Sequence, residues 1–281
     1  MSTTDLSHCR VFLFTPGNRP DRFAKAAASG ADALILDLED AVAAAGKDEA
    51  RATVIEHFRG EVRAGLAPHQ LKGLRVNNIH TAAGVRDLDA LVSSGIGPDF
   101  VVIPKVESAF EARVFARHLA GIPLVCTIES ARGLEAAVEI AHAEASVRAL
   151  AFGGADLAAD LRAELTWEPM LYGRSRLVQA AAGAGLALVD VPHLVLDDEV
   201  ALRAECVRVR ALGYTGKLAI HPKQVAPIVE SFTPSAAEVA RAERLIRELE
   251  RAGGNVIEFE GKMLEGPIVK AAQRVLALAR R

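Results

Sequence analysis

Eight short apolar runs, separated by longer amphipathic segments, constrain the fold of this 281-residue chain more than any other feature. Most of the runs are continuous rather than alternating, which is typical of parallel strands buried on both faces. Eight strand–helix units in a chain of this length favour an α/β fold in which the sheet closes into a TIM (β/α)₈ barrel. An open doubly wound sheet is the main alternative. We predict the strands at Val11–Thr15, Ala33–Leu38, Leu74–Asn77, Phe100–Pro104, Leu124–Ile128, Ala149–Gly153, Leu186–Val191 and Leu218–His221.

Helical spacing of apolar residues appears between these runs. In Ala109–Leu119 we expect Phe110 and Val114 on the buried face, and in Glu199–Leu212 we expect a stripe that includes Val200 and Cys206. We assign residues 1–232 to the barrel and 233–281 to a C-terminal helical extension of the same domain. This extension exceeds what a barrel needs, so we expect a lid or a subunit contact. Its predicted parts are a helix from Pro234 to about Gly253, an extended piece at Asn255–Glu260 and a helix from about Pro267.

Composition excludes several classes of function. A net charge of −3 gives no electrostatic reason to bind nucleic acid or an anionic membrane, and 5% aromatic residues offer no platform for stacking bases. Met1–Arg10 lacks the apolar core of a signal peptide, and no charge-free stretch reaches 18 apolar residues. Three widely spaced cysteines, Cys9, Cys126 and Cys206, predict a cytoplasmic protein without disulfides, with Cys126 in the core.

Two carboxylates at the ends of neighbouring apolar runs form the main candidate metal site. Glu129 closes the run Leu124–Ile128, and Asp156 follows the run that ends at Gly153. If these runs are adjacent parallel strands, their axes lie about 4.8 Å apart and both carboxylates emerge at the same end. Two protein carboxylates leave open positions for substrate, which is how Mg²⁺ is usually bound. An N-cap role for Asp156 and a surface position for Glu129 are the structural alternatives.

The glycines beside Asp156 predict a close approach of the backbone to a ligand. We expect N–H groups of Gly153, Gly154 and Ala155 to form a cradle for a substrate carboxylate. Thr15, Arg19 and His221 also follow strands and are candidate substrate contacts, although His221 could simply cap its strand.

An arginine and three acids lie within or directly after the second and third runs. Arg75 lies in an apolar run and would place a guanidinium beside the metal to stabilise an oxyanion, held there by Asp37; a purely structural ion pair with Asp37 is the alternative. We interpret Glu39 and Asp40 as acceptors for water around the ion, and strand alternation would put these two on opposite sides. Lys105 could neutralise a substrate anion, form a Schiff base or lie on the surface.

Seven segments in this order resemble the family of the citrate lyase β subunit and its free-standing relatives, within the HpcH/HpaI aldolase superfamily. Each alone is weak, but together they span nearly the whole chain. The segments are residues 14–20 (FTPGNRP), 36–42 (LDLEDAV), 75–77 (RVN), 103–105 (IPK), 128–133 (IESARG), 153–157 (GGADL) and 220–224 (IHPKQ).

The resemblance implies a TIM barrel that forms trimers or hexamers and binds Mg²⁺ through the residues matching Glu129 and Asp156. It implies carbon–carbon lyase activity on a β-hydroxyacyl thioester, such as malyl-CoA, citramalyl-CoA or a citryl thioester, with a 2-oxo acid as the other fragment. In that picture Arg75 polarises the oxygen that the metal chelates. Relatives also include thioesterases and malate synthases. An aldolase that acts without CoA, with Lys105 as a Schiff base, and a subunit active only in a complex are further alternatives.

The tail departs from the family pattern at one position. Many free-standing relatives end the segment Gly-Lys-Met-hydrophobic with an Asp that serves a neighbouring subunit as acid or base. Here the segment ends in Glu265. The extra methylene moves the carboxylate by about 1 Å, a shift that can cost on the order of 100-fold in rate.

Overall fold

The structure is a computed structural model and describes residues 5–60, 66–251 and 258–279. Within these ranges eight parallel strands pair in chain order, and the last pairs with the first to close the barrel. The predicted TIM barrel is confirmed, and the open sheet is excluded. The strands β1 to β8 are Val11–Pro16, Ala33–Asp37, Leu71–Arg75, Phe100–Ile103, Leu124–Ile128, Val147–Phe152, Ala187–Asp190 and Gly216–Ala219.

Helices follow most of the strands, and two of them match their predicted ranges. Phe110 and Val200 are exposed, contrary to the prediction, whereas Cys206 and Val209 of the predicted stripe are buried; Ala112 and Phe115 pack inward on the helix that carries Phe110. The helices α1 to α12 of the described residues are Phe23–Ala27, Lys47–Arg59, Ala82–Ser94, Ala109–His118, Ala131–Glu135, Ala137–Ala141, Gly154–Asp160, Trp167–Ala184, Glu199–Leu212, Val225–Phe232, Ala236–Arg251 and Gly266–Ala279.

Large aromatic side chains fill the barrel interior. The rings of Phe12 and Phe100 meet edge to face with centroids 5.8 Å apart, among small residues such as Ala149 and Ala151. A Cβ at Gly73 would overlap the ring of Phe100, so a glycine is required there. The interior is therefore a packed core and leaves chemistry to the strand ends.

The third strand lies earlier in the chain than predicted. It spans Leu71–Arg75 instead of Leu74–Asn77, because Lys72 and Gly73 continue the strand despite breaking the apolar run. Lys72 is buried, and its ammonium lies 4.7 Å from the centroid of the Phe58 ring. The shift makes Arg75 the last residue of β3, in register with Asp37 at the end of β2.

A buried ion network joins the outer face of the barrel to α8 and α9. Lys217 on β8 contacts Asp190 on β7 at 2.6 Å and Glu205 on α9 at 3.0 Å. Arg174 on α8 contacts the same two carboxylates at 2.9 and 3.1 Å. Although Asp190 ends a strand, it therefore faces the helices rather than the barrel mouth.

Residues 230–281 form a second compact unit, described here by itself. Its helices α11 and α12 pack around Ala242, Leu245, Leu264 and Ala272, next to an antiparallel pair of two-residue strands, Glu258–Phe259 and Lys262–Met263. The predicted tail helices are present, and most of the predicted extended piece at Asn255–Glu260 lies outside the described residues. The division of the domain and the role of the tail stay predictions.

Cys9, Cys126 and Cys206 are all buried and form no disulfide with one another, and Cys126 lies in the core as predicted. In the part of the chain that the structure describes, no helix has the length and apolarity needed to cross a bilayer.

Replacing Lys217 by Met should destabilise the protein by about 3 kcal/mol, because it leaves carboxylates buried with one cation fewer. Urea unfolding followed by circular dichroism measures this change. The matched variant Lys223→Ala removes an exposed ion pair with Asp197 and should change the free energy of unfolding by about 1 kcal/mol or less. Equal effects of the two substitutions would contradict a structural role for the network.

Candidate active site

A cavity of about 370 Å³ lies at the carboxyl ends of the strands. Its polar lining residues, here called the polar wall, are Asp37, Asp40, Arg75, Thr127, Glu129 and Asp156. Its large apolar lining residues, here called the apolar wall, are Phe14, Val191, Pro192, Leu194, Leu218 and Ile220. The strand order that was predicted from the sequence thus brings most of the candidate residues into one place.

Arg75 is fixed by a two-pronged ion pair. Its Nε and Nη2 donate to the two carboxylate oxygens of Asp37, each at 2.6 Å, and its Nη1 lies 3.0 Å from Glu39 Oε2. The guanidinium also stacks 4.4 Å from the centroid of the Phe14 ring. Burial acts to lower the pKa of Arg75, but Asp37 and Glu39 outweigh it and hold the group charged. The ion pair with Asp37 that the sequence predicted is present, and the catalytic role of Arg75 stays a prediction.

Glu39 and Asp40 lie on the same side of the chain, contrary to the predicted alternation. Strand β2 ends at Asp37, and the carboxylate of Asp37 then accepts N–H bonds from Glu39 and Ala41, which turns the chain. Lys47, which the sequence did not single out, donates to the carbonyl oxygens of Leu38 and Glu39 at 2.8 and 2.6 Å and fixes this turn.

Lys105 connects the acids of the polar wall. Its ammonium lies 2.6 Å from Glu39, 3.4 Å from Asp40 and 3.4 Å from Asp156. Its backbone N–H donates to Glu129 Oε1 at 2.7 Å, and it does so with a φ of 54°, a left-handed conformation that is uncommon for a residue with a side chain. One strained residue therefore contacts four carboxylates.

Glu129 is a buried carboxyl group at the junction of β5 and α5. It follows Ile128, and Ser130 caps the helix by accepting the N–H of Gly133. Burial, together with the nearby charges of Glu39 and Asp156, raises the pKa of Glu129 to about 8. A cation placed against this group would displace its proton and supply the charge that the site lacks.

Gly153 is required by Glu129 rather than by a ligand. A Cβ at position 153 would overlap Cβ and Oε2 of Glu129, and the Gly153 N–H is already bonded to the carbonyl oxygen of Ile128. The predicted anion cradle therefore cannot use this N–H group. Gly154 begins α7 and is buried, Ala155 lines the cavity, and Asp156 lies in the first turn of α7 without acting as its N-cap.

The residues present fit a divalent cation held by two carboxylates. Ile128 and Phe152 are in register, so Glu129 and the start of α7 leave adjacent strands side by side. Lys105 occupies one oxygen of Glu129 and one of Asp156, and the second oxygen of each is not engaged by it. No group of three or more His, Cys, Asp or Glu suited to a metal occurs within residues 5–60, 66–251 and 258–279. Water and substrate would have to complete the coordination, as is usual for Mg²⁺.

Other predicted residues lie beside this cavity rather than in it. Thr15 and His221 line an adjoining cavity of about 450 Å³, which also carries Arg22 and Lys25 and shares Phe14 and Ile220 with the first. His221 accepts the N–H of Lys223. Arg19 is exposed and paired with Asp21 at 2.7 Å, so its charge is engaged. Glu265 is exposed and precedes α12 in the second unit.

A closed parallel barrel with buried acids and a fixed guanidinium at its strand ends defines an enzyme of the TIM-barrel class. A family model described as HpcH/HpaI aldolase/citrate lyase matches residues 10–222, and the chain belongs to this family. The predicted resemblance is confirmed.

Relatives cover almost the whole chain. It is 36% identical to a citrate lyase subunit beta-like protein of Deinococcus radiodurans, over 95% of this chain and 96% of that one. It is 32% identical to the human mitochondrial citramalyl-CoA lyase, over 96% and 85%. The crystal structure of CitE from Mycobacterium tuberculosis with magnesium, acetoacetate and coenzyme A is 32% identical, covers 98% of this chain and 100% of that one, and superposes with a TM-score of 0.83. These names agree with the predicted enzyme class, a carbon–carbon lyase, and with the predicted cofactor.

Replacing Glu129 by Gln should change how stability depends on pH in the absence of divalent ions. Between pH 4.5 and about 8 the folded wild-type protein binds a proton at Glu129 that the unfolded chain has released. Its stability therefore falls as pH rises, by up to about 1.4 kcal/mol per pH unit. Gln keeps an acceptor for the Lys105 N–H but cannot ionise, so the variant should lose this slope and be the more stable protein at pH 8.

Urea unfolding in EDTA between pH 5 and 8.5 measures the slope. Glu139→Gln, at an exposed position on α6, serves as the control and should follow the wild-type curve. A Glu129→Gln curve parallel to that of the wild type would show that this carboxyl group does not titrate as described.

Proposed function

We propose that this protein is a Mg²⁺-dependent lyase that cleaves the carbon–carbon bond of a β-hydroxyacyl-CoA thioester, or forms it in reverse. The products of cleavage are an acyl thioester and a 2-oxo acid. The observation that carries the proposal is the meeting of Glu129 and Asp156, each with one carboxylate oxygen that Lys105 does not engage, with the anchored guanidinium of Arg75 in one cavity. The lyase names and the magnesium and coenzyme A of the relatives support it.

Glu129 and Asp156 would hold the ion, which supplies a Lewis acid for the substrate oxygen and a template for its carboxylate. Arg75 donates an N–H that Asp37 does not use to the same oxygen. In cleavage, the bond between the carbinol carbon and the carbon next to the thioester carbonyl breaks. The hydroxyl proton passes to a carboxylate, and the electron pair moves into the thioester as an enolate, which is then protonated. Arg75 and Lys105 overcome the effect of burial and lower the pKa of Asp40, so we assign Asp40, ionised and on the cavity wall, as the proton acceptor.

The adjoining cavity gives the thioester carrier a place to bind. It opens beside the catalytic cavity through Phe14 and Ile220, and its Arg22 and Lys25 suit an anionic carrier such as CoA. Glu265 and a trimeric or hexameric assembly belong to the proposal on the resemblance alone, with the Glu265 carboxylate acting in the site of a neighbouring subunit.

A Schiff base at Lys105 fits the site poorly. Although burial acts to lower the pKa of Lys105, its contacts with Glu39, Asp40 and Asp156 outweigh this effect and raise it. A nucleophilic lysine needs the opposite shift, since only the neutral amine attacks a carbonyl.

Chelation by EDTA and the substitution Asp156→Asn should each reduce cleavage of malyl-CoA and citramalyl-CoA by at least about 100-fold, because the ion that stabilises the developing charge is lost. Release of the acyl-CoA and of the 2-oxo acid is followed by liquid chromatography. Asp160→Asn, on the same helix, keeps an oxygen for the N–H of Ala131 and should retain activity. Full activity in EDTA would overturn the proposal, and release of free CoA with the intact hydroxy acid would identify a thioesterase instead.

Borohydride added with pyruvate should leave Lys105 unmodified, because a lysine kept protonated by three carboxylates does not form an imine. Mass spectrometry of the intact protein and of its peptides detects the adduct. An N-(1-carboxyethyl)lysine at position 105, at about one equivalent, would establish the aldolase alternative.

A further inference from the structure

The catalytic cavity has no positive charge to spare for a second carboxylate of the substrate. Arg75 is the one cationic side chain among the described residues that line it, and Asp37 and Glu39 already engage it. The ammonium of Lys105, at the edge of the cavity, is shared by Glu39, Asp40 and Asp156.

The acids of the site outnumber its bases. Asp37, Glu39, Asp40, Glu129 and Asp156 face three cationic groups, Arg75, Lys105 and Lys47, and each of these cations is already engaged by carboxylate or carbonyl oxygens. A substrate with one carboxylate can place it on the bound ion. A second carboxylate would meet the acids at short range, where repulsion is weakly screened, and would find no cation that is not already engaged.

Much of the remaining lining of the cavity is hydrocarbon. Val191, Pro192 and Leu194 come from the segment after β7, and Leu218 and Ile220 come from β8 and the residues after it. Leu194 and Ile220 are 54% and 42% exposed, unusual for large apolar side chains beside so polar a wall. They offer an alkyl group a surface that removes it from water and offer a carboxylate no hydrogen bond.

We infer that the 2-oxo acid handled by this enzyme is a monocarboxylate with a small alkyl substituent, of the class of pyruvate and 2-oxobutyrate, rather than a dicarboxylate such as oxaloacetate. This inference rests on the proposed function and adds to it the substrate class. The carbinol carbon of the cleaved thioester then carries an alkyl group against the apolar wall, and its single free carboxylate lies with the ion on the polar wall.

Isothermal titration calorimetry of the full-length protein tests the ranking directly. Mg²⁺ is titrated first, and then pyruvate, 2-oxobutyrate, glyoxylate and freshly prepared oxaloacetate are titrated into the Mg²⁺-saturated protein. Pyruvate should bind about fourfold more tightly than glyoxylate, the gain expected for burying one methyl group. It should bind at least about tenfold more tightly than oxaloacetate, whose second carboxylate finds no partner.

Two variants in the segment after β7 distinguish an effect specific to the apolar wall from a general effect of added positive charge. Leu194→Arg places a cation on the apolar wall and should shift the ratio of oxaloacetate to pyruvate affinity at least about tenfold towards oxaloacetate. Val195→Arg adds the same charge at the next position, which is 59% exposed and does not line the catalytic cavity, and should leave the ratio within about twofold. Thermal melts of both variants establish that they are folded, and the wild-type ranking tests the inference even if Leu194→Arg does not fold.

The outcomes distinguish this inference from the function on which it rests. Absence of Mg²⁺ binding in the first titration removes the proposed function and the inference together. Binding of Mg²⁺ followed by tighter binding of oxaloacetate than of pyruvate overturns the inference alone. Equal shifts of the ratio in the two arginine variants would overturn the assignment of the apolar wall.

Discussion

An excess of carboxyl groups over cations at one end of the barrel is the constraint on which the rest of the site depends. Five acids share Arg75 and Lys105, and one of them, the buried Glu129, lowers the cost of its burial by holding a proton at neutral pH. A divalent cation that displaced this proton would bring the charge closer to balance and leave the two carboxylates ionised. Metal affinity and pH are then linked, because each ion bound to Glu129 releases a proton.

Backbone conformation positions the groups of the site as much as side-chain contacts do. Lys105 adopts φ 54°, which directs its N–H to Glu129 while its ammonium contacts the other acids. Strain at a residue with a side chain persists only where the surroundings fix it, and here the contacts at both ends of the residue do so. Gly153, which follows the adjacent strand β6, also helps to position Glu129. A Cβ at position 153 would overlap the space that the Glu129 carboxylate occupies.

The sequence was a good guide wherever local pattern and strand order determine the outcome. The continuous apolar runs predicted the barrel. Glu129, at the end of a run, and Arg75, within one, were both expected at its mouth, and both line the cavity there. It failed where side-chain direction depends on tertiary contacts. The end of β2 at Asp37 placed Glu39 and Asp40 on one side of the chain, and Lys72, buried against the Phe58 ring, belongs to a β3 that begins earlier than predicted.

Charge balance separates the structural ion cluster from the functional one. Outside the barrel, two cations, Arg174 and Lys217, meet two carboxylates, Asp190 and Glu205, and every contact is between opposite charges. At the mouth, the acids exceed the bases and Glu39 Oε2 is buried without a hydrogen bond, although an ion pair with Arg75 remains. A buried cluster that only stabilises a fold gains nothing from unpaired charge, which costs free energy. The imbalance therefore indicates a site suited to a ligand that brings positive charge, and a ligand that brings added negative charge would work against it.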